Sequence, residues 1–132
     1  MSPTTTPLGI AVCALVIAAH PAIAQNFPAK SLRIVVPLAA GGPGDVLARA
    51  VGQKLSESAG QPVIVDNRPG ANTNVGNEFV AKAPADGYTL LATASTLTIN
   101  PALYPKLPYD AIRDFAPITL IGSAPLILVV PV

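Results

Sequence analysis

Five short apolar runs predict β-strands along this chain. The first, residues 32–38, is rich in β-branched side chains and lies between a polar pair and a glycine pair. Its nearly continuous apolar character is typical of a strand buried on both faces of a parallel sheet. The other runs with the length and composition of strands are residues 61–66, 88–93, 118–121 and 126–130.

Two amphipathic segments between these runs predict helices. In the first, apolar residues recur at three- and four-residue spacing, with Asp45 suited to the N-cap and Gly60 to the left-handed position after the C-terminus. The second helix begins near Asn74 and ends at the turn that opens with Pro84. A single helical turn is predicted at residues 101–104.

The alternation of strands and helices predicts the α/β class. Right-handed crossovers between parallel strands require this order, so we expect a mainly parallel sheet flanked by helices. The 15 Pro and 10 Gly residues favour many short elements joined by sharp turns over long helices. With 132 residues and no repeat or linker, the chain has room for one hydrophobic core.

Composition excludes several classes of function. Eight basic residues against seven acidic ones give a net charge of +1, so we expect no nucleic-acid partner and no attraction to anionic membranes. The one Cys and the one His, Cys13 and His20, both fall in a predicted leader. Without them there is no disulfide, thiolate or His-ligated metal site, or Ser-His-Asp triad, and we expect neither metal nor cofactor.

The N-terminus is typical of a secretory signal. Residues 10–19 form an uncharged apolar run, which is too short to span a bilayer at about 20 residues. Ala22 and Ala24 supply the small residues of a cleavage site, so residues 1–24 are predicted to be removed and Gln25 to start the mature protein. A buried core helix is the alternative. Export would place the protein in the periplasm.

Three loops at the carboxyl ends of predicted strands are the candidate binding region: residues 39–45, 67–74 and 93–100. Ligands bind at this edge of open α/β sheets. The first loop, AAGGPGD, and the second, GANTNVG, could bring backbone N–H groups at helix N-termini close to a carboxylate without any Lys or Arg. A nucleotide site is disfavoured, because the glycine loop lacks G-K-[ST] and has Leu47 where a third glycine belongs.

Each of these features also has a plainer interpretation. The glycines could serve only to turn a strand into a helix, and the Asn and Thr residues could be helix caps or a solvated loop face. Asp45 is assigned to loop order, because its charge would repel a carboxylate. Arg68 is expected to pair with Asp66. A competing hypothesis is an enzyme for a carboxylate or phosphate substrate that uses Asp45 or Asp86 as a base.

Four segments carry a resemblance to a known family. They are FPAKSLRIVVPLAAGGPGDVLAR, GQPVIVDNRPGA, VAKAPADGYTLLATAS and INPALYPKLPYDAIRDFAPITLIG. In this order and with these gaps the chain resembles the Bug-type receptors, which are the extracytoplasmic substrate-binding proteins of tripartite tricarboxylate transporters. The likeness runs from about Phe27 to Val132.

The resemblance implies a two-lobed, type II periplasmic-binding-protein fold. Such a receptor is not an enzyme; it closes on a small carboxylated solute and delivers it to membrane permease subunits. In these relatives the carboxylate is held largely by backbone amides and hydroxyls of the loops after the first strands. The matching positions here are Ala40, Gly41, Gly42, Gly44, Asp45, Ala71, Asn72, Thr73, Asn74, Thr93, Ala94, Ser95 and Thr96.

The chain departs from the family pattern in three ways. Asn72 and Thr73 stand where a glycine pair is commoner, and LAA stands where prolines are frequent, so these side chains are expected to influence ligand choice. Family members also continue into a second lobe. Residues 25–132 therefore correspond to the N-terminal part of lobe 1, ending near the inter-lobe crossover, with the second lobe missing. The complete receptor would be monomeric, and a non-functional truncated gene product is the alternative.

Overall fold

The computed structural model describes residues 27–123 and 127–130. The predicted signal peptide, residues 1–24, lies outside these residues, as does Leu126 at the start of the last predicted strand. Among the described residues, no helix has the length and apolar character needed to cross a membrane.

A three-stranded parallel sheet forms the centre of the molecule. Its strands are β1 (Leu32–Val36), β2 (Val63–Asn67) and β3 (Thr89–Leu91), in the order β2-β1-β3. β1 is central, and its Ile34 lies opposite Val65 of β2 and Leu90 of β3. The predicted α/β class with a parallel sheet is confirmed.

Three helices accompany the strands: α1 (Pro43–Ala59), α2 (Asn74–Ala81) and α3 (Thr96–Leu103). The prediction that Asp45 caps α1 is wrong. Pro43 suits the first helical turn because it has no N–H to satisfy, so the N-cap is Gly42, three residues earlier than predicted. Gly60 ends the helix in the left-handed conformation, with φ of 65°, as predicted.

Helices α1 and α2 cover opposite faces of the sheet. Alternate residues of a strand point to opposite sides. Ile34 and Val36 pack with Ala48 of α1, while Pro37, the residue after β1, lies against Gly76 of α2. Helix α1 contacts β1 and β2, whereas α2 contacts β1, β3 and α3. The centre of β1 is therefore covered on both sides, which explains the apolar run at residues 34–36.

The last two predicted strands are wrong. Residues 118–121 and 127–130 form no strand and pair with none of the described residues. Their large apolar side chains are exposed, including Leu120 at 81% and Leu128 at 94%. An apolar β-branched run indicates a preference for burial, but a strand also needs a partner edge for its backbone hydrogen bonds, and sequence pattern alone does not supply one.

Candidate functional site

All three candidate loops leave the sheet at one edge. Because β1, β2 and β3 are parallel, their carboxyl ends lie side by side. We call the connections after them the first loop (residues 37–42), the second loop (residues 68–73) and the third loop (residues 92–95). Helices α1, α2 and α3 begin directly after these loops, so three helix N-termini also lie at this edge.

Asp45 organises the first loop from inside α1. Its buried carboxylate accepts hydrogen bonds from the Gly41 N–H at 2.9 Å and the Arg49 Nε at 3.0 Å on one oxygen. The other oxygen accepts from Asn67 Nδ2 at 2.9 Å, and the same Asn67 amide donates to the Leu38 carbonyl at 3.2 Å. The carboxylate thus ties the loop to the end of β2, which agrees with its assignment to loop order.

The electrostatics of both candidate bases oppose proton abstraction. The hydrogen bond from Arg49, followed by those from the Gly41 N–H and Asn67, lowers the pKa of Asp45 to about 2. The pKa of Asp86 is also lowered, mainly by the hydrogen bond from the Tyr88 N–H. A general base works best with a pKa near the operating pH, so these carboxylates are poor bases.

The lowered pKa of Asp45 predicts how stability depends on pH. Because its pKa falls from 3.8 to about 2 on folding, its ionised form stabilises the fold fully above pH 3.8, and this contribution disappears as the pH drops toward 2. We expect Asp45→Asn to lower the free energy of unfolding at pH 7 and to flatten its decline between pH 4 and pH 2. Urea denaturation at several pH values measures both effects. Equal slopes for wild type and variant would contradict the assignment.

The structure joins the second and third loops through side chains. Thr73 Oγ1 donates to Thr96 Oγ1 at 2.9 Å, directly linking the end of the second loop to the start of α3. Thr93 Oγ1 donates to Asn77 Oδ1 of α2 at 3.3 Å. Two of the three predicted loops therefore form one continuous wall at the sheet edge.

Continuous with this wall is a group of hydrogen-bonded polar side chains with a buried centre, which we call the amide network. Its Asn72 is exposed, and its Thr93 and Thr96 are half-buried. Asn77 Nδ2 donates to Thr73 Oγ1 and to the Tyr109 hydroxyl, both at 3.2 Å. Asn74 Oδ1 accepts from the Tyr109 hydroxyl and from Asn100 Nδ2, both at 2.7 Å. The complete network consists of Asn72, Thr73, Asn74, Asn77, Thr93, Thr96, Asn100 and Tyr109.

Sequence reasoning assigned no site role to Asn77, Asn100 or Tyr109, although Asn100 is the last residue of the third candidate loop. Asn77 and Asn100 are fully buried, and Tyr109 is 7% exposed. Within the described residues no buried side-chain nitrogen or oxygen lacks a hydrogen-bond partner, so the network is fully satisfied. The available signal was an Asn in the interior of each of two short, largely apolar helices, α2 and α3, because Asn disfavours helix interiors.

The second loop has an unusual backbone. Ala71, Asn72 and Thr73 all have positive φ, at 46°, 52° and 73°, forming three successive left-handed residues. Each non-glycine residue in this conformation costs about 1–2 kcal/mol. Asn tolerates it better than most, and Thr, which is branched at Cβ, tolerates it poorly. The positions where the family more often has glycine, Asn72 and Thr73, are therefore two of the three strained ones.

Backbone donors are available at the starts of α1 and α2. In the part of the chain that the structure describes, no protein acceptor is found for the N–H groups of Gly44, Asp45, Val75 and Gly76. Such first-turn N–H groups have no partner within their own helix and carry the positive end of its dipole. They form a set of donors at the edge where the loops emerge.

Basic side chains take little part in this edge. Seven of the eight form ion pairs with carboxylates among the described residues. Arg68 pairs with Asp66 at 2.9 Å, as predicted, and its guanidinium lies over the Phe79 ring. From Gly70 to Asn77, and again from Ala92 to Tyr104, the sequence has no charged residue. Positive potential at the wall therefore comes from peptide dipoles.

Comparison with known proteins identifies the family. The family described as "Tripartite tricarboxylate transporter family receptor" matches residues 47–132. The chain belongs to this receptor family. Among curated relatives, Protein BugT of Bordetella pertussis is 41% identical over 124 residues, which cover 92% of this chain and 38% of BugT. The chain spans 30% to 40% of the length of the curated relatives it matches.

Solved structures support the same family. The periplasmic binding protein BugD is 36% identical, with a TM-score of 0.67 over 70% of this chain and 31% of BugD. MatC from Rhodopseudomonas palustris, solved with bound malate, is 36% identical, with a TM-score of 0.66 over 72% of this chain and 33% of MatC. An R. palustris protein solved with adipate is 38% identical, with a TM-score of 0.62 over 64% and 29%.

Membership of the tricarboxylate transporter receptor family decides against the enzyme hypothesis raised by the sequence. The members are solute-binding receptors and not enzymes, in agreement with the low pKa of Asp45. Within residues 27–123 and 127–130, no three His, Cys, Asp or Glu side chains are placed to hold a metal ion.

Two surface hollows of the described residues lie away from the predicted binding residues. One is lined by Phe79, Lys82 and their neighbours on α2, and another by Gln53, Val63 and their neighbours on α1 and β2. Neither contains any of the residues predicted to bind ligand. The candidate residues lie at the sheet edge, most of them exposed or half-buried, with Asp45, Thr73 and Asn74 buried.

Proposed function

We propose that this chain contributes one wall of an extracytoplasmic receptor that captures a small dicarboxylate for a tripartite tricarboxylate transporter. The wall would bind the ligand through backbone N–H groups of its strand-to-helix loops, assisted by the hydroxyls of Ser95 and Thr96, while Thr93 donates its proton to Asn77. Residues 25–132 would form the N-terminal part of lobe 1. Permease subunits in the membrane would receive the solute.

One observation carries this proposal: the second and third loops are joined by the 2.9 Å contact between Thr73 and Thr96, at the same sheet edge from which the first loop emerges. A ligand at this edge could reach N–H groups from α1 and α2 together. Relatives solved with malate and with adipate, both dicarboxylates, support the ligand class.

Backbone donors are physically sufficient for such a ligand. A hydrogen bond to a charged group contributes about 1.5–3 kcal/mol, so a few N–H groups directed at one carboxylate provide substantial affinity. The helix dipole adds to this at each N-terminus. Because Arg68, the one basic residue of the second and third loops, is paired with Asp66, discrimination would depend on the geometry of the loops and on the length of the diacid.

Secretion is part of the proposal. The uncharged apolar run at residues 10–19, followed by Ala22 and Ala24, supports a cleaved leader. BugD, a periplasmic binding protein, supports the same compartment. Fractionation of cells that express the chain, with the N-terminus of the exported product sequenced, is the direct test; a product that begins at Gln25 is expected.

Ligand binding can be tested residue by residue with NMR. We expect malate and adipate to shift the amide signals of Gly44, Asp45, Val75 and Gly76 in a saturable way, because their N–H groups would donate to the added carboxylates. The matched control ligand is dimethyl adipate, which has the same chain length without negative charge and should bind at least about tenfold more weakly. Amides in the C-terminal half of α1 should not respond. Failure of every diacid to shift the loop signals would overturn the proposal.

A further inference from the structure

We propose that Asn100 and Tyr109 are positioning residues, which hold the second loop in its left-handed conformation and thereby direct the N–H groups at the start of α2. The expected effect on ligand binding rests on the proposed function, whereas the effect on the loop conformation does not. Asn100, the last residue of the third predicted loop, lies in α3, and Tyr109 follows that helix by several residues.

Asn100 restrains the second loop with every polar atom of its side chain. Its Oδ1 accepts from Asn72 Nδ2 at 2.7 Å, and its Nδ2 donates to the Asn72 carbonyl at 2.8 Å. The same Nδ2 also donates to Asn74 Oδ1 at 2.7 Å. Because Asn100 is fully buried, leaving its amide without these partners is costly. The middle of the left-handed segment is thus held from both its backbone and its side chain.

Tyr109 fixes the first residue of α2 from a separate part of the chain. Its hydroxyl donates to Asn74 Oδ1 at 2.7 Å and accepts from Asn77 Nδ2 at 3.2 Å. Its ring packs edge-on against Phe115, with 5.9 Å between ring centroids. The hydroxyl is therefore held on both sides by α2, while the ring is anchored outside the loop.

The restraint is needed because the loop lacks glycine at its strained positions. Ala71, Asn72 and Thr73 would each favour negative φ if they were released. Rotation of these peptides would change the direction of the chain into α2 and therefore of the Val75 and Gly76 N–H groups. The hydrogen bonds of the network stabilise positive φ at these residues. Glycine would adopt the same conformation without such bonds.

The test uses the whole chain and two variants that weaken the restraint. Tyr109→Phe keeps the ring and removes the hydroxyl, and Asn100→Ala removes all three contacts of the amide. We expect adipate affinity to fall about fivefold for Tyr109→Phe, the factor that one neutral hydrogen bond corresponds to, and at least about tenfold for Asn100→Ala. The φ angles of residues 71–73, measured from NMR backbone couplings, should lose their uniformly positive values in both variants.

Two further variants distinguish positioning from a merely structural role. Adding Ala71→Gly to Tyr109→Phe should restore part of the lost affinity, because glycine adopts positive φ without strain. Tyr104→Phe makes the same change at an exposed tyrosine and should alter neither affinity nor φ. Variants that melt at a lower temperature but retain positive φ and full affinity would overturn the inference.

Failure of the proposed function has a different signature. If the wild-type chain binds no diacid, the receptor proposal fails, and the φ measurements alone then decide whether Asn100 and Tyr109 hold the loop. Positive φ retained at residues 71–73 in both variants would overturn the positioning role whether or not the chain binds a ligand.

Discussion

Replacing Gly76 with alanine should lower the melting temperature by on the order of 10 °C. A Cβ at this position would lie 2.6 Å from Pro37 Cβ, 3.0 Å from Pro37 Cα and 3.1 Å from the Arg68 carbonyl oxygen. Pro37 is fully buried, and two of these three neighbours are backbone atoms that cannot rotate away. Helix α2 would have to move off the sheet, and such overpacking typically costs about 1–3 kcal/mol, or several degrees per kcal/mol in a domain of this size.

Gly52→Ala is the matched control, because it makes the same change in the interior of a helix that also packs on the sheet. There the new Cβ would meet only side-chain atoms, the nearest being Val63 Cγ1 at 3.3 Å. The gain in helix propensity, about 0.5–1 kcal/mol, should offset most of the crowding. Thermal unfolding followed by circular dichroism measures both variants. A loss for Gly76→Ala no greater than that for Gly52→Ala would show that α2 does not depend on this close approach.

The parts of the fold that sequence predicted are those determined by local signals. The β-branched run around Ile34 lies between turn residues, and the glycine at position 60 ends α1 in the expected left-handed conformation. The start of α1 was misplaced because Pro43 and Asp45 are both good first-turn residues, and only the loop geometry shows which one begins the helix.

Non-local features escaped prediction. Residues 118–121 and 127–130 have the composition of strands, but composition does not reveal whether a partner strand is present. Asn77 and Asn100 are buried because partners from elements distant in sequence converge on them: Asn100 of α3 bonds to Asn72, and Asn77 of α2 bonds to Tyr109. A buried Asn cannot be distinguished from an exposed one until these neighbours are known.

The position of the candidate site could be predicted from the sequence, but the roles of its side chains could not. Parallel strands bring their carboxyl ends together whatever their side chains, so the three loops were correctly placed at one edge. The sequence also suggested that Asn72 and Thr73, which replace the commoner glycines, influence ligand choice through their side chains. In the structure their most evident contribution is to backbone conformation, since both have positive φ and both bond into the amide network.

The largest expected effect in the chain follows from this network: Asn77→Asp should lower the free energy of unfolding at pH 7 by about 3–5 kcal/mol. The two side chains have the same shape, so packing is preserved. The substitution removes the amide that donates to Thr73 Oγ1 and to the Tyr109 hydroxyl. It also places a negative charge at a fully buried position whose side-chain hydrogen-bond partners among the described residues are all neutral. Chemical denaturation at constant pH measures the loss.

The pH dependence of this loss identifies its cause. Burial raises the pKa of the introduced carboxyl in the folded state above the roughly 3.9 of the unfolded chain. Its cost is therefore absent below about pH 3.9 and grows as pH rises toward the folded-state value, by about 1.4 kcal/mol per pH unit. Relative to wild type at each pH, Asn77→Asp should thus be less destabilising at pH 5 than at pH 8.

Asn77→Ala is the control, since it removes the same hydrogen bonds without adding a charge and should cost the same at both pH values. A loss for Asn77→Asp that is constant from pH 5 to pH 8 would mean that water or a rearranged donor reaches the carboxylate, and that the amide network is not the closed group of hydrogen bonds on which the orientation of α2 depends.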